Sequence, residues 1–184
     1  ESILRDGEAA GQHRFDELYF VHASATKPFQ QYIWPGHPQH HLQLNSQLDD
    51  YLAELLASFP TTHSFVGHTH VPAALMSYGA RTLCPMHPDW NRRLSFIGPR
   101  SVFYVPTADT MLGGIAGQRL VLNPGSVGQP RDGDPRASWA LYDGDSILFR
   151  RVAYDVQATV EKLRRLPLSA PTRSYFADRL PLGK

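Results

Sequence analysis

Residues 64–72 read Ser64-Phe65-Val66-Gly67-His68-Thr69-His70-Val71-Pro72, SFVGHTHVP. An apolar run enters a glycine, two histidines follow one residue apart, and a proline closes the segment. In extended backbone, residues two apart point to the same side, so His68 and His70 are expected to share a side while Thr69 faces away. Gly67 is expected to supply a positive φ or a close backbone approach where strand turns into loop. Pro72 removes a donor and stiffens the exit. A further histidine, His22, stands just past the short apolar run Leu18–Val21 and precedes the small residues Ala23 and Ser24. Sites in sheets flanked by helices gather at such strand ends, and imidazole is a common ligand for borderline transition metals. An arbitrary His-x-His in a loop is usually just exposed; the strand-Gly-His-x-His-x-Pro framing and His22 are what favour a metal edge here.

Outward from this stretch the chain alternates between short apolar runs and turn formers. NSQLDDYLAELLASF (45–59) reads as the best helix, with Ser46 as cap, Asp49 completing a capping box, and Leu48, Leu52, Leu55 and Leu56 on one stripe. Beyond Pro72 strands and turns dominate. Asp143-Gly144-Asp145 between two alternating runs is a hairpin signal. DVQATVEKLRRL (155–166) reads as a second helix capped by Asp155 and stopped by Pro167. No repeat, low-complexity tract or linker divides the chain, so residues 1–184 read as a single domain.

Composition sets outer bounds. The 184 residues can bury a sizeable core. Lys+Arg of 18 against Asp+Glu of 17 leaves a net charge of +1, which gives no electrostatic footprint for nucleic acid or an anionic membrane. The lone Cys84 cannot form an internal disulfide, so a reducing, cytoplasmic home is the simplest expectation. No apolar run approaches the length of a membrane span.

At this point the motifs carry a resemblance. FVGHTHVP (65–72) looks like the Gly-His-x-His signature of the calcineurin-like metallophosphoesterases, and YFVHAS (19–24) resembles their upstream Val-His-Gly segment, with Ala23 in place of the commoner glycine. LVLNPGSVGQPRDGDPRASWALYD (120–143) is similar to the tail block of the bacterial phosphoesterase branch, and YFADRLPLGK (175–184) to how those proteins end. The likeness runs from about residue 15 to 184 and is weakest through RTLCPMHPDWNRRL (81–94). It implies an α/β (α+β) fold, a two-sheet β-sandwich flanked by helices. It also implies hydrolysis of phosphate mono- or diesters by two divalent ions (Mn, Fe or Zn), with His22 and His68 on one and His70 on the other. Such a pair, roughly 3.5–4 Å apart, clamps the attacking and leaving oxygens of an in-line displacement.

The resemblance also implies motifs that do not stand ahead of His22: an Asp-x-His, a Gly-Asp pair whose aspartate bridges the metals, and an Asn-His-Asp run. The chain therefore reads as the C-terminal part of such a domain, incomplete on its N-terminal side, with the proton donor in the other half. Three neutral imidazoles offset none of the repulsion between two dications, about 19 kcal/mol at 3.5 Å and an effective dielectric near 20. This chain alone is accordingly expected to bind at most one metal ion, weakly, and to hydrolyse little. An exposed apolar sheet edge or flank is expected to follow from the missing strands. The alternative reading is a non-catalytic module of the same fold that binds a nucleotide or a protein partner.

Lesser candidates complete the reading. In NPGSVGQPRDGDPR (123–136), Asn123, Gly125 and Ser126 are expected to brace the histidine loop. Arg131 can meet a substrate phosphate, though a solvated loop arginine is the plainer reading. His37, His40 and His41 read as an exposed loop rather than a zinc site, since no cysteine or acid lies close by. Tyr32, Ile33 and Trp34 read as core packing. His63, His87 and Cys84 are given no role.

Overall fold

The computed structural model describes residues 12–15, 17–31, 33, 46–77, 94–97, 99–106 and 109–184. Tyr32, Trp34, His37, His40, His41, Cys84 and His87 lie outside the described residues. The described strands are β1 (Gln12–Phe15), β2 (Leu18–Val21), β3 (His63–Phe65), β4 (Pro72–Ser77), β5 (Leu94–Ile97), β6 (Ser101–Tyr104), β7 (Thr110–Gly113), β8 (Leu120–Pro124), β9 (Ala137–Tyr142) and β10 (Ser146–Val152), most of them short apolar runs and β1 a polar one. The helical stretches become α1 (Ser46–Ser58), α2 (Val156–Arg165) and α3 (Ala170–Arg179), with a 3-10 turn at Leu180–Leu182. The strands form a seven-stranded sheet, ordered β1-β2-β3-β8-β4-β6-β5, and a three-stranded sheet, ordered β7-β10-β9. The mixed α/β, two-sheet architecture is the one the motif resemblance implies.

Strands β2, β3 and β8 run parallel and adjacent, with Phe20 level with Phe65 and Phe65 level with Leu122. Parallel strands need a crossover, and α1 supplies it between β2 and β3. Its Leu52, Leu55 and Leu56 are buried with Tyr19, Val21, Val66, Leu75 and Val121 on one face of the large sheet. Burial of each such side chain contributes roughly 1.5–3 kcal/mol. The opposite face of the large sheet packs on the small one through Met76, Val102, Leu120, Leu122, Ile147 and Phe149. Residues alternate between these two cores along β4 and β8, so both strands read as continuous apolar runs.

Polar ties lock the layers. His63, the first residue of β3, is buried between the sheets. Its Nε2 donates to the Ile115 carbonyl at 3.3 Å, which leaves Nδ1 to accept from the Tyr142 hydroxyl of β9. His63 thus has a structural duty that its sequence position did not reveal. Arg119 donates to the carbonyls of Leu56 and Phe59, closing the C-terminal end of α1 with a cation where the helix dipole favours one.

Asp49 departs from the capping-box expectation. Its buried carboxylate turns away from the helix start and accepts from Ser101 N (3.0 Å), Ser101 Oγ (2.7 Å), Arg100 N (3.2 Å) and Arg100 Nε (3.1 Å). The stronger demand comes from β6, whose first amides would otherwise be left without acceptors. Asp155 caps α2 as expected, accepting from Ala158 N at 2.9 Å. The Asp143–Asp145 hairpin forms with Gly144 at φ +101 and Asp143 accepting from Asp145 N and Ser146 N. Apolar side chains do stand exposed: Phe20 stacks on Phe65 at 4.9 Å, and Trp139, Leu141 and Met111 remain open on the small sheet.

The two sheets meet closely at Gly125. It has φ +86, and a Cβ built there would lie 2.5 Å from Ser138 Oγ and 3.1 Å from Pro72 Cδ. Gly125→Ala is expected to cost about 2–5 kcal/mol, combining left-handed strain with overpacking; urea unfolding measures it. Burial pushes the Asp49 pKa up, but the hydrogen bonds from Ser101 and Arg100 outweigh it and hold the group below its ordinary 3.8. A carboxyl lowered by folding stabilises above its unfolded pKa, and that stability is lost as pH falls through the folded value. Asp49→Asn is expected to cost about 2 kcal/mol at pH 7, with the gap to the parent narrowing below pH 3.8 in the same unfolding assay.

Candidate metal centre

The three parallel strands end at one level, and each delivers part of the site. His22 follows β2, Gly67–His70 follow β3, and Asn123–Ser126 close β8. The ladder continues past the strands proper: Val66 N donates to the Leu122 carbonyl at 2.8 Å, and Gly67 N to the His22 carbonyl at 2.9 Å. A Cβ on Gly67 would sit 3.6 Å from that carbonyl, an ordinary contact.

Positive φ falls on the histidines instead of on Gly67. His68 has φ +66 and His70 φ +60, so the segment is not extended and strand alternation does not apply to it. The reason lies in the hydrogen bonding. Thr69 N turns back to the Gly67 carbonyl at 2.8 Å, a three-residue turn that takes its rarer, positive-φ form with His68 at its centre. Two non-glycine residues in this region cost of order 1–3 kcal/mol each and persist only where their surroundings over-determine them. Asn123 provides that. Its Nδ2 donates to the Gly67 carbonyl (2.6 Å) and to Thr69 Oγ1 (2.9 Å), while its Oδ1 accepts from Gly125 N (2.9 Å). Thr69 is buried, its hydroxyl within hydrogen-bond distance of Asn123 and Val71.

The rings meet across the strand ends. His22 Nε2 and His68 Nδ1 lie 2.8 Å apart, with ring centroids separated by 4.8 Å. His70 Nδ1 is 2.8 Å from the Gln129 carbonyl. A carbonyl only accepts, so this nitrogen carries the proton and Nε2 carries the lone pair, the arrangement common among metal-ligating histidines. Burial lowers the pKa of His68, and the charges of His22, His70 and Arg131 lower it further. Burial also lowers the pKa of His70; the Gln129 hydrogen bond opposes this, and Arg131 and His22 reinforce it. Both imidazoles are therefore biased toward the neutral, lone-pair-bearing form.

The surrounding loops are built around these rings. Ser126 Oγ accepts from Gln129 N at 2.9 Å, setting the turn that presents the Gln129 carbonyl. Arg131 N donates to the His70 carbonyl at 3.1 Å, and its guanidinium donates to Gln129 Oε1 at 2.9 Å. Behind His22, buried Ser24 bonds Gln31, which donates to Tyr51 of α1 at 3.1 Å. Buried Ala23 has its amide on the Pro28 carbonyl, 2.8 Å away. The Gln129 carbonyl is the group that sequence reading missed, and no signal could have found it, since every residue type offers the same carbonyl.

The donor set fits one edge of a metal centre. Two imidazole nitrogens bound at 2.0–2.1 Å to one ion lie about 2.9–3.4 Å apart, close to the observed His22–His68 separation of 2.8 Å. It does not form a closed site: among the described residues no group of three or more His, Cys, Asp or Glu side chains is arranged to hold a metal ion. No helix among the described residues is long and apolar enough to cross a membrane.

Comparison with known proteins follows the same lines. No protein-family model matches the chain. Over 71 residues it is 38% identical to an uncharacterized protein of Methanocaldococcus jannaschii, covering 36% of this chain and 27% of that protein. Its fold matches the crystal structure of a metallophosphoesterase from Sphaerobacter thermophilus with a TM-score of 0.66 and 27% identity, over 95% of this chain and 59% of that one. The chain thus spans less than two thirds of the length of either relative. A likeness of fold that extends over nearly its whole length and a Gly-His-x-His turn set on the ends of parallel strands both support this chain's resemblance to the calcineurin-like metallophosphoesterases.

Proposed function

We propose that this chain supplies the histidine side of a dinuclear metal centre that hydrolyses phosphate mono- or diesters. In this reading His22 and His68 ligate one divalent ion and His70 the other, with Mn, Fe or Zn as the metal. The observation that supports it best is the convergence of His22 and His68 across 46 residues of sequence, beside a His70 ring whose tautomer is set by Gln129. The name of the Sphaerobacter thermophilus relative, a metallophosphoesterase, points the same way.

The two ions, when bound, would supply Lewis acidity and bring the pKa of water toward neutral. The chain's own residues do the rest. His68 and His70 stay neutral near pH 7 because burial and neighbouring cations resist protonation, so protons compete poorly for their lone pairs. Arg131 sets a fixed positive charge beside the rings, suited to a phosphate oxygen. Asn123 and the Gly125 turn keep the histidine loop in its left-handed form, so little reorganisation is needed on binding. Carboxylates to balance two dications come from outside the recognised motifs of residues 15–184. The isolated chain is accordingly proposed to take up one ion at most.

His68→Ala is expected to abolish the Zn²⁺ or Mn²⁺ uptake of this chain and, in a protein carrying the full centre, to lower aryl-phosphate hydrolysis by at least 100-fold. Metal content after dialysis and a chromogenic phosphate assay measure the two effects, and unchanged values in both would remove the reading. Robust hydrolysis by the 184 residues alone would show that the ligands have been mislocated. In a protein carrying the full centre, Arg131→Ala is expected to raise KM for a phosphate monoester about tenfold with metal content unchanged, measured by steady-state kinetics beside metal analysis.

A further inference from the structure

The loop that faces His70 is itself held from behind. Gln129 and Arg131 make the two hydrogen bonds to His70, one to its ring and one to its carbonyl. From the next residue, the same loop enters a set of contacts that the metal-centre reading does not use. Asp132 pairs with Arg151 of β10, at side-chain exposures of 15% and 3%. Gly133 N donates to the Gly183 carbonyl at 2.9 Å. Gly183 has φ +63 and presses on Asp134 so closely that a Cβ there would lie 2.6 Å from Asp134 N. Asp134 in turn takes a fork of hydrogen bonds from Arg136 at 2.6–3.1 Å.

Residue 183 is not loose. Leu180 is buried with Val160 and Ala177 between α2 and α3, and Gly183 N and Lys184 N return to the carbonyls of Leu180 and Arg179. The helical pair therefore presents a rigid edge to the 129–134 loop. A loop of that length with no anchor would exchange among conformers, since fixing each residue costs roughly 1–2 kcal/mol of backbone entropy.

We propose that Gly183 and the Asp132–Arg151 pair are positioning residues for His70, holding the 129–134 loop so that the Gln129 carbonyl keeps the proton on Nδ1 and the lone pair on Nε2. The inference deepens the reading of His70 as a metal ligand and rests on it for its functional consequence. Gly183 acts by its lack of a side chain. Any Cβ there pushes the Asp134 backbone, and the displacement passes along the loop to the carbonyl that His70 donates to. Partners that orient a metal-bound imidazole in this way are typically worth 10–100-fold in metal affinity.

The experiment compares the metal-free 184-residue chain with Gly183→Ala by long-range proton–nitrogen NMR of the histidine rings, then compares metal content with and without the same substitution in a protein carrying the full centre. In the parent, His70 is expected to show a single Nδ1–H tautomer with a slowly exchanging ring proton. In Gly183→Ala that proton is expected to exchange faster and the tautomers to mix, the His22 ring signals to hold, and metal content in a protein carrying the full centre to fall. A folded Gly183→Ala with the parent's tautomer and exchange rate overturns the inference. If Gly183→Ala does not fold, Asp132→Asn, which keeps the shape of the side chain but removes its charge, is judged on the same ring signals. His70→Ala separates the two claims. Should it leave metal content untouched in a protein carrying the full centre, the metal-ligand assignment of His70 fails, while the tautomer comparison still decides whether the clamp exists.

Discussion

The structure depends on three parallel strands ending at one level. Pairing of Phe20 with Phe65 and of Phe65 with Leu122 sets the register, and everything chemically notable follows from where those strands stop. A slip of one residue in β3 would turn its side chains to the opposite faces and carry the Gly67–His70 turn away from His22. The register is protected by burial on both faces: Ser64 and Val121 lie on the α1 side, and His63 and Leu120 on the side of the small sheet. Apolar packing is non-directional, so the directional correction comes from the few polar ties, His63 to Tyr142 and Asn123 to the Gly67 carbonyl.

Strain and electrostatics at the strand ends belong together. Left-handed backbone at His68 and His70 is unfavourable in isolation and is maintained by Asn123, Thr69 and the Gln129 loop. The same close setting brings two imidazoles within hydrogen-bond distance and puts Arg131 beside them. A cluster of this kind repels protons and offers lone pairs, which suits a cation. Arg131 adds positive charge, which suits an anionic ligand on the open side. A single metal ion could rest on such an edge. Two would need negative charge that the clustered imidazoles do not carry, and this is why the activity of a complete centre is assigned to more than the histidine side.

The family likeness and the local chemistry support each other without being the same argument. The solved metallophosphoesterase structure matches the fold over 95% of this chain, whereas the ring geometry bears on what it can bind. The 129–136 loop links the two, because it is fastened at one end to His70 and at the other to the Asp132–Arg151 ion pair and the Gly183 turn. Its residues are polar and turn-forming, so composition alone describes them as solvent-exposed connection. Their arrangement makes them the backing of the site.

Much of the architecture was legible from local pattern. The α1 stripe, the Asp155 cap, the Gly144 hairpin and the strand runs around residues 18–21 and 120–124 are short-range signals, set by side-chain period and turn chemistry within a few residues. The motif order likewise pointed to His22, His68 and His70 before any coordinates. Other features were decided only by tertiary contact. Asp49 left the helix cap for β6, positive φ moved from Gly67 to its histidine neighbours, and His63 became a tie between sheets. Each of these depends on a partner roughly 50 to 80 residues away or on a backbone carbonyl, and a carbonyl carries no residue identity for a sequence to display. Local preference names what a segment favours alone; the folded state chooses whichever arrangement leaves the fewest buried polar groups without partners.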